Sequence, residues 1–230
     1  MILNKRTIVL PLGWNASPVF FFYIWEKPRD HVIEVQSLKA GHSRLGVELK
    51  KTVVLVGMMG SGKTAVGTAV ARHLGVPFVD QDDEIEAAAN RTIAEIFRDH
   101  GEAFFREKET QVLGRLLDGP PCILSTGGGA FMSERNRDLI RDRGVSVWLN
   151  AELNLLWARV RYRNTRPLLQ TDNPYQTLKT LYDLRCPIYA GAQLHVMSRS
   201  NYSIEDMATT VVKTLSQHPE ILKVSQNVRD

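Results

Sequence analysis

From Thr52 onward the chain switches regularly between two hydrophobic periods. TVVLV at 52–56 is an unbroken β-branched run, the pattern of a short strand buried on both faces. TAVGTAVARHL at 64–74 moves to helical spacing, with Val66, Ala69, Val70 and Leu74 on one stripe and Gly75 as the stop. PFVD (77–80) predicts a second strand. TIAE (92–95) has the spacing of a capping box. It opens a short helix carrying Ile93, Ile96 and Phe97, and a longer helix follows from about Glu102 to Leu117. CILST (122–126) and VSVWL (145–149) predict two more buried strands between helical stretches, and LHVM (194–197) a weaker fifth. SIED (203–206) caps a terminal helix running through Val211, Val212 and Leu215. Strands alternating with helices predict an α/β fold, a parallel sheet covered on both faces.

The first fifty residues break this rhythm. Six aromatics fall between 14 and 25, with breakers at Pro11, Gly13, Pro18 and Pro28 and no sustained period. Residues 1–50 are therefore expected to be a loosely ordered N-terminal extension, 51–217 the domain and 218–230 a C-terminal tail. A further expectation is that translation starts at Val47 from a non-ATG codon, because VELKKTVVLVG begins the domain directly at its first strand.

Composition changes this picture little. The chain of 230 residues is 43% hydrophobic and 23% charged, ordinary for a globular protein. Its net charge of +4 sits mostly in the extension: residues 1–50 hold seven basic and four acidic groups, and the remainder holds 22 and 21. A nearly neutral body gives no footprint for nucleic acid. The run VFFFYIW (19–25) is too short to span a bilayer and lacks the order of a secretory signal. Cys122 and Cys186 lie far apart and outside any C-x-x-C pair, which fits a reducing, cytoplasmic setting. The six histidines show no metal-ligand spacing.

Candidate chemistry starts at GMMGSGKT (57–64), which fits G-x-x-x-x-G-K-[ST] between a predicted strand and a predicted helix. The glycines let successive N–H groups point inward at the positive end of the helix. Lys63 can reach β- and γ-phosphates, and the Thr64 hydroxyl can take one magnesium position. Gly60, Ser61, Gly62, Lys63, Thr64 and Ala65 are the candidate nucleotide-binding residues.

Three features bear on the acceptor. In FVDQDDE (78–84), Asp80 and Asp82 are two apart at the end of a strand, where period-two geometry would send both carboxylates to one face. One could serve magnesium and the other draw off a hydroxyl proton; a solvated acidic turn is the commoner fate of such a cluster. STGGGA (125–130) offers close backbone approach and donor N–H groups at a further helix start, or simply a flexible loop. Arg106 in FFREKE and Arg185 in LRCPIY carry planar forks suited to a carboxylate or phosphate. RVRYRNTRPLL (159–169) places Arg159, Arg161, Arg163 and Arg166 within eight residues, either a mobile lid over a triphosphate or a solvated basic face.

Taken together, GMMGSGKT, DQDDEIE, IFRDHGEAFFREKE, STGGGA, the RPLL segment and LRCPIY resemble the shikimate kinase family over about residues 50–217. The resemblance implies a three-layer α/β/α fold of nucleoside-monophosphate-kinase type, with a five-stranded parallel sheet and a mobile lid. It also implies transfer of the ATP γ-phosphoryl to the 3-hydroxyl of shikimate, with Mg2+ as cofactor, by a cytoplasmic monomer. Asp82 would then hold the acceptor hydroxyls and act as base, and Asp80 and Thr64 would support magnesium. Arg106 and Arg185 would grip the shikimate carboxylate, with the N–H groups of Gly127, Gly128 and Gly129. Lys63 and Arg166 would stabilise the transferring phosphoryl, and Arg159 would stack on adenine. The third strand ends in Ser125–Thr126, with no acidic residue at that metal position. A gluconate kinase, a nucleoside-monophosphate kinase and a silent nucleotide-binding module remain the alternatives.

Overall fold

The computed structural model describes residues 45–162 and 167–226. In chain order the elements are β1 (Leu45–Leu49), β2 (Thr52–Val56), α1 (Lys63–Leu74), β3 (Phe78–Asp80), α2 (Gln81–Ala89), α3 (Ile93–Leu117), β4 (Ile123–Ser125), α4 (Glu134–Arg143), β5 (Gly144–Ala151), α5 (Leu153–Val160), α6 (Pro174–Tyr189), β6 (Leu194–Ser198), α7 (Ile204–Ser216) and β7 (Leu222–Gln226). Short 3-10 turns occupy 130–132 and 167–169.

β2 lies at the centre because it is apolar on both faces. It pairs in parallel with β4 on one side and β5 on the other, and all five of its residues are buried. β3 and β6 extend the sheet to the order β3-β4-β2-β5-β6, every pairing parallel. Alternate β2 side chains feed two separate cores. Val53 and Leu55 pack with Val66 and Val70 of α1 and with Met207, Val211 and Leu215 of α7. Val54 and Val56 pack with Leu113 of α3, Ile140 of α4, Leu156 of α5 and Leu178 of α6. This is the expected three-layer arrangement, and it puts the strand C-termini, with the loops that follow β2 and β4, at one sheet edge.

The helix signals lie where the sequence set them. Gly75 closes α1, and reciprocal capping boxes start α3 at Thr92/Glu95 and α7 at Ser203/Asp206. The predicted short and long helices around residue 100 are the two arms of α3, which meet at a kink. There Gly101 has φ 77 and ψ 177, a backbone state essentially confined to glycine. A Cβ at Gly101 would meet nothing within 4 Å, so backbone conformation, not space, requires the glycine.

Two expectations are revised. DQDDEIE does not continue the strand: β3 ends at Asp80, and α2 begins at Gln81 with Asp80 as its N-cap. Its first turn carries Asp82, Asp83 and Glu84, which favours a helix start over a pleat. The second revision concerns the flanks. Residues 45–49, placed in the extension, and 222–226, placed in the tail, form an antiparallel ribbon with Leu45 opposite Gln226 and Leu49 opposite Leu222. Lys50 extends it, its N–H donating to Ile221 O at 2.8 Å and its ammonium to Pro219 O at 2.9 Å. Leu49, Ile221 and Leu222 are buried in the α1/α7 core, so the ribbon is packed into the domain. Val47 stands mid-ribbon opposite Val224. The readings for residues 1–44 and 227–230 lie outside the described residues.

Candidate active site

The β2–α1 connection curls as its glycines allow, with Gly57, Gly60 and Gly62 all at positive φ. Lys63 arches back over this loop, donating to Gly57 O at 2.9 Å and Met58 O at 3.2 Å. Ser61 Oγ is buried and meets no hydrogen-bond partner among the described residues. A hydroxyl so placed costs stability unless a ligand accepts its proton, and a phosphoryl oxygen in the loop would do so. Thr64 Oγ1 donates to Asp80 Oδ2 at 3.2 Å, which joins the phosphate loop to the end of β3. Together these residues form one wall of a cavity of about 430 Å3 that also takes in Asp82, Ser125, Thr126, Gly127, Gly128 and Arg159.

Asp80 and Asp82 do converge, though by capping and not by pleat alternation. The Asp80 carboxylate accepts the Asp82 backbone N–H at 3.1 Å, and the first turn of α2 carries the Asp82 side chain into the cavity. Burial and then the Asp80 charge push the Asp82 carboxyl up to about 6, against the lowering pull of Lys63. That places it where a carboxylate can accept a proton near neutral pH.

The three glycines after β4 each back onto one charged side chain. A Cβ on Gly127 would lie 2.9 Å from Asp82 Oδ1, on Gly128 3.4 Å from Arg185 Nη1, and on Gly129 2.7 Å from Arg106 Nη1. The run is glycine because three charged side chains approach the backbone itself. The helix start expected here is a 3-10 turn, and α4 begins later, capped by Ser133. Arg185, on α6, donates to Gly128 O at 3.2 Å. Arg106, on α3 just past the Gly101 kink, bonds Glu102 at 3.2 Å and Glu109 at 3.0 Å, its guanidinium 5.1 Å from the Phe105 ring centroid.

Sequence reasoning missed several residues that shape the cavity. Glu109 is 1% exposed; burial raises its carboxyl above the usual value despite the lowering pull of Arg106, and both its oxygens accept from the Arg106 fork. Its spacing of three from Arg106 could have suggested the pair. Tyr189 donates to Gly128 O at 2.5 Å and stacks near Phe131 and Trp148, and burial pushes its phenol up to about 12. Thr110 donates to Asn136 Oδ1 at 2.8 Å, and the Asn136 amide donates to Ala130 O at 2.9 Å, tying α3 to the glycine loop. The cavity is also lined by Tyr202 and Ser203, from the β6–α7 connection, and by Ile204 and Met207 at the start of α7. Phe97 stacks on Phe105 with centroids 4.6 Å apart and is 37% exposed.

Arg159, at the end of α5, reaches Gly60 O and Ser198 Oγ at 3.3 Å each, and burial lowers its pKa. Thr126 Oγ1 donates to Leu55 O at 3.1 Å, so it secures β4 to β2. The lid reading falls partly on 163–166, and Arg166 with it lies outside the described residues. Among the described residues no helix is long and apolar enough to cross a membrane, and no cluster of three metal-ligating side chains occurs.

Comparison with known proteins gives one family. The family model described as "Shikimate kinase" matches residues 59–216. The chain is 61% identical over 178 residues to the shikimate kinase of Cereibacter sphaeroides, covering 77% of this chain and 89% of that one. It is 56% identical over 177 residues to that of Ruegeria pomeroyi, covering 77% and 91%. Among solved structures, the shikimate kinase of Acinetobacter baumannii in complex with shikimate matches with a TM-score of 0.66 and 38% identity, over 71% of this chain and 91% of that one. A gluconokinase from Sinorhizobium meliloti shares the fold at a TM-score of 0.50, but at 17% identity.

Proposed function

We infer the division of labour in this cavity from the premise that the chain belongs to the shikimate kinase family. It transfers the γ-phosphoryl of ATP to the 3-hydroxyl of shikimate, forming shikimate 3-phosphate. The observation that carries the acceptor reading is the glycine run 127–129, which presents Asp82, Arg185 and Arg106 side by side. One carboxylate for hydroxyls and two guanidiniums for a carboxylate describe a hydroxylated carboxylic acid.

The Asp82 carboxylate holds the acceptor hydroxyls and takes the proton of the attacking one. Its upward-shifted affinity for protons, set by burial and Asp80, suits that transfer. Arg106 and Arg185 bind the acid group, with the N–H groups of Gly127, Gly128 and Gly129 beside them. Buried Glu109 fixes Arg106, and Tyr189 and Arg185 fix the glycine loop through Gly128 O.

On the donor side, Gly60 to Ala65 cradle the phosphates through backbone N–H groups, Ser61 Oγ supplies a further donor, and Lys63 turns from the loop carbonyls toward the transferring phosphoryl. Thr64 and Asp80, 3.2 Å apart, would hold a magnesium ion, which would supply charge neutralisation at the phosphates. Arg159 stacks on the adenine, and Tyr202 lines the same cavity. Arg166 in the lid adds positive charge at the transferring group. Phosphoryl transfer needs alignment and charge more than covalent help, and this arrangement provides both.

The enzyme acts as a monomer in this reading. The free cysteines Cys122 and Cys186 fit the cytoplasm. The test is an ADP-release assay across shikimate, gluconate and nucleoside monophosphates. Turnover with shikimate alone is expected; turnover with gluconate or a nucleotide acceptor would reassign the acceptor end, and none with any would favour a silent module.

A further inference from the structure

A second cavity, of about 370 Å3, opens between α2 and α3 on the side away from the substrates, sharing no lining residue with the first. Its floor is apolar: Ile85, Ala88 and Ala89 from α2, Ile96 and Val112 from α3. Its rim is cationic, with Arg91, Lys108 and Arg115 and with His100 beside them, and among the described residues lining it none is acidic. The Phe104 ring, 40% exposed, stands beside His100 at 4.6 Å and under the Lys108 ammonium at 5.4 Å. An apolar floor asks for a ring, and a cationic rim asks for an anion.

We propose that this cavity binds a small amphipathic anion, an apolar ring bearing one carboxylate, and that its occupation alters affinity for the acceptor. Lys108 is the first partner for the carboxylate, since it now donates to the neutral Gln111 amide at 3.0 Å. Arg91 and Arg115 each hold a carboxylate already, Asp99 and Glu84 at 2.7 Å, but these are solvent-exposed pairs of the weak kind that exchange partners readily.

Coupling follows from where the floor is attached. Ile85 lies one turn beyond Asp82 on α2, and Val112 one turn beyond Glu109 on α3. Ile85, Ile96, Phe105 and Val112 form a small core of their own, apart from the two sheet cores, and the Arg106 guanidinium rests over Phe105. A ring seated against that core presses on the supports of Asp82 and Arg106 together. The Gly101 kink, next to rim residue His100, gives the two arms of α3 a place to yield.

The test uses the full chain with phenylacetate, benzylamine (same ring, opposite charge) and acetate (charge without ring) in titration calorimetry. Phenylacetate is expected to bind, with the other two at least about tenfold weaker. Ala88→Trp, which fills the cavity from an exposed position, should abolish binding, and Lys108→Ala should weaken it several-fold. At saturating phenylacetate the shikimate Kd should shift by about fivefold or more and then level off, as two linked sites require. Unchanged binding in folded Ala88→Trp or in Lys108→Ala would overturn the proposal. So would a shikimate Kd that rises without limit, which would place phenylacetate in the acceptor site, or no shift at all.

Discussion

The phosphate loop is eight consecutive residues between one strand and one helix. The proposed acceptor end draws Asp82 from α2, Arg106 from α3, three glycines from the turn after β4 and Arg185 from α6. On the proposed reading the first end works through backbone N–H groups and a helix terminus, so its function is contained in its own conformation. The second, on the same reading, works through charged side chains whose positions are set by other groups: buried Glu109 behind Arg106, buried Tyr189 behind the loop, half-buried Asp80 under Asp82. A local device tolerates changes elsewhere in the fold. A device assembled from four segments can be disturbed from any of them.

The contrast predicts that acceptor-end variants separate the two substrates. Asp82→Asn should show the largest effect, a loss of roughly 10²- to 10⁴-fold in kcat with ATP affinity retained; near-normal turnover would remove Asp82 as base. The same carboxyl at about 6 predicts an acid limb in wild-type kcat/KM below that pH, absent from the residual activity of the variant. Its proton affinity is raised over the unfolded 3.8, so the folded state gains stability as pH falls from about 6 toward 3.8 and gives it up as pH rises through that window. At neutral pH the ionised group therefore costs up to about 3 kcal/mol, and Asp82→Asn should melt higher while turning over far more slowly. A melting point lowered by the substitution would contradict the burial argument.

Next comes Arg106→Ala, expected to weaken shikimate binding by about 100-fold through lost charge-assisted hydrogen bonds while leaving ATP binding intact. Equal losses for both substrates would mean general damage. Gly129→Ala is gentler, because the intruding Cβ, 2.7 Å from Arg106 Nη1, meets the movable end of a side chain. Shikimate KM should rise by about tenfold, equivalent to about 1.4 kcal/mol, and an unchanged KM would show that the guanidinium has room to shift. Gly114→Ala marks the lower end. It sits in the long arm of α3 with nothing within 4 Å of a new Cβ, so it should stabilise the helix by about 0.5–1 kcal/mol and leave both KM values alone. A change in shikimate KM there would show that the arm transmits strain to Arg106.

What could be read from sequence follows the same division. The strands, the α1 stop, both capping boxes and the phosphate loop are local patterns, decided within about ten residues. Arg106, Arg185 and the glycine run stood out by residue type, but only the fold shows that each glycine faces one of the charges. The Asp80–Asp82 pair was legible as a site for the wrong geometric reason, since periodicity does not reveal that an aspartate caps a helix at the point where the strand stops. Tyr189 and Tyr202 were hidden because their roles depend on neighbours far along the chain: the Tyr189–Gly128 bond spans 61 residues. The β1–β7 ribbon was hidden for the same reason, as each strand alone is too short and mixed to announce a partner.

That ribbon has a mechanical consequence. Because its strands run antiparallel and Leu45 faces Gln226, chain entering before β1 and chain leaving after β7 emerge side by side at one end. A pull applied through both would peel the ribbon from that end, rupturing its cross-links in succession, each under the full load, instead of shearing them all at once. The first yield point under tension is thus set by a five-residue zipper, and the parallel sheet holding both substrates would feel the force only after it had opened.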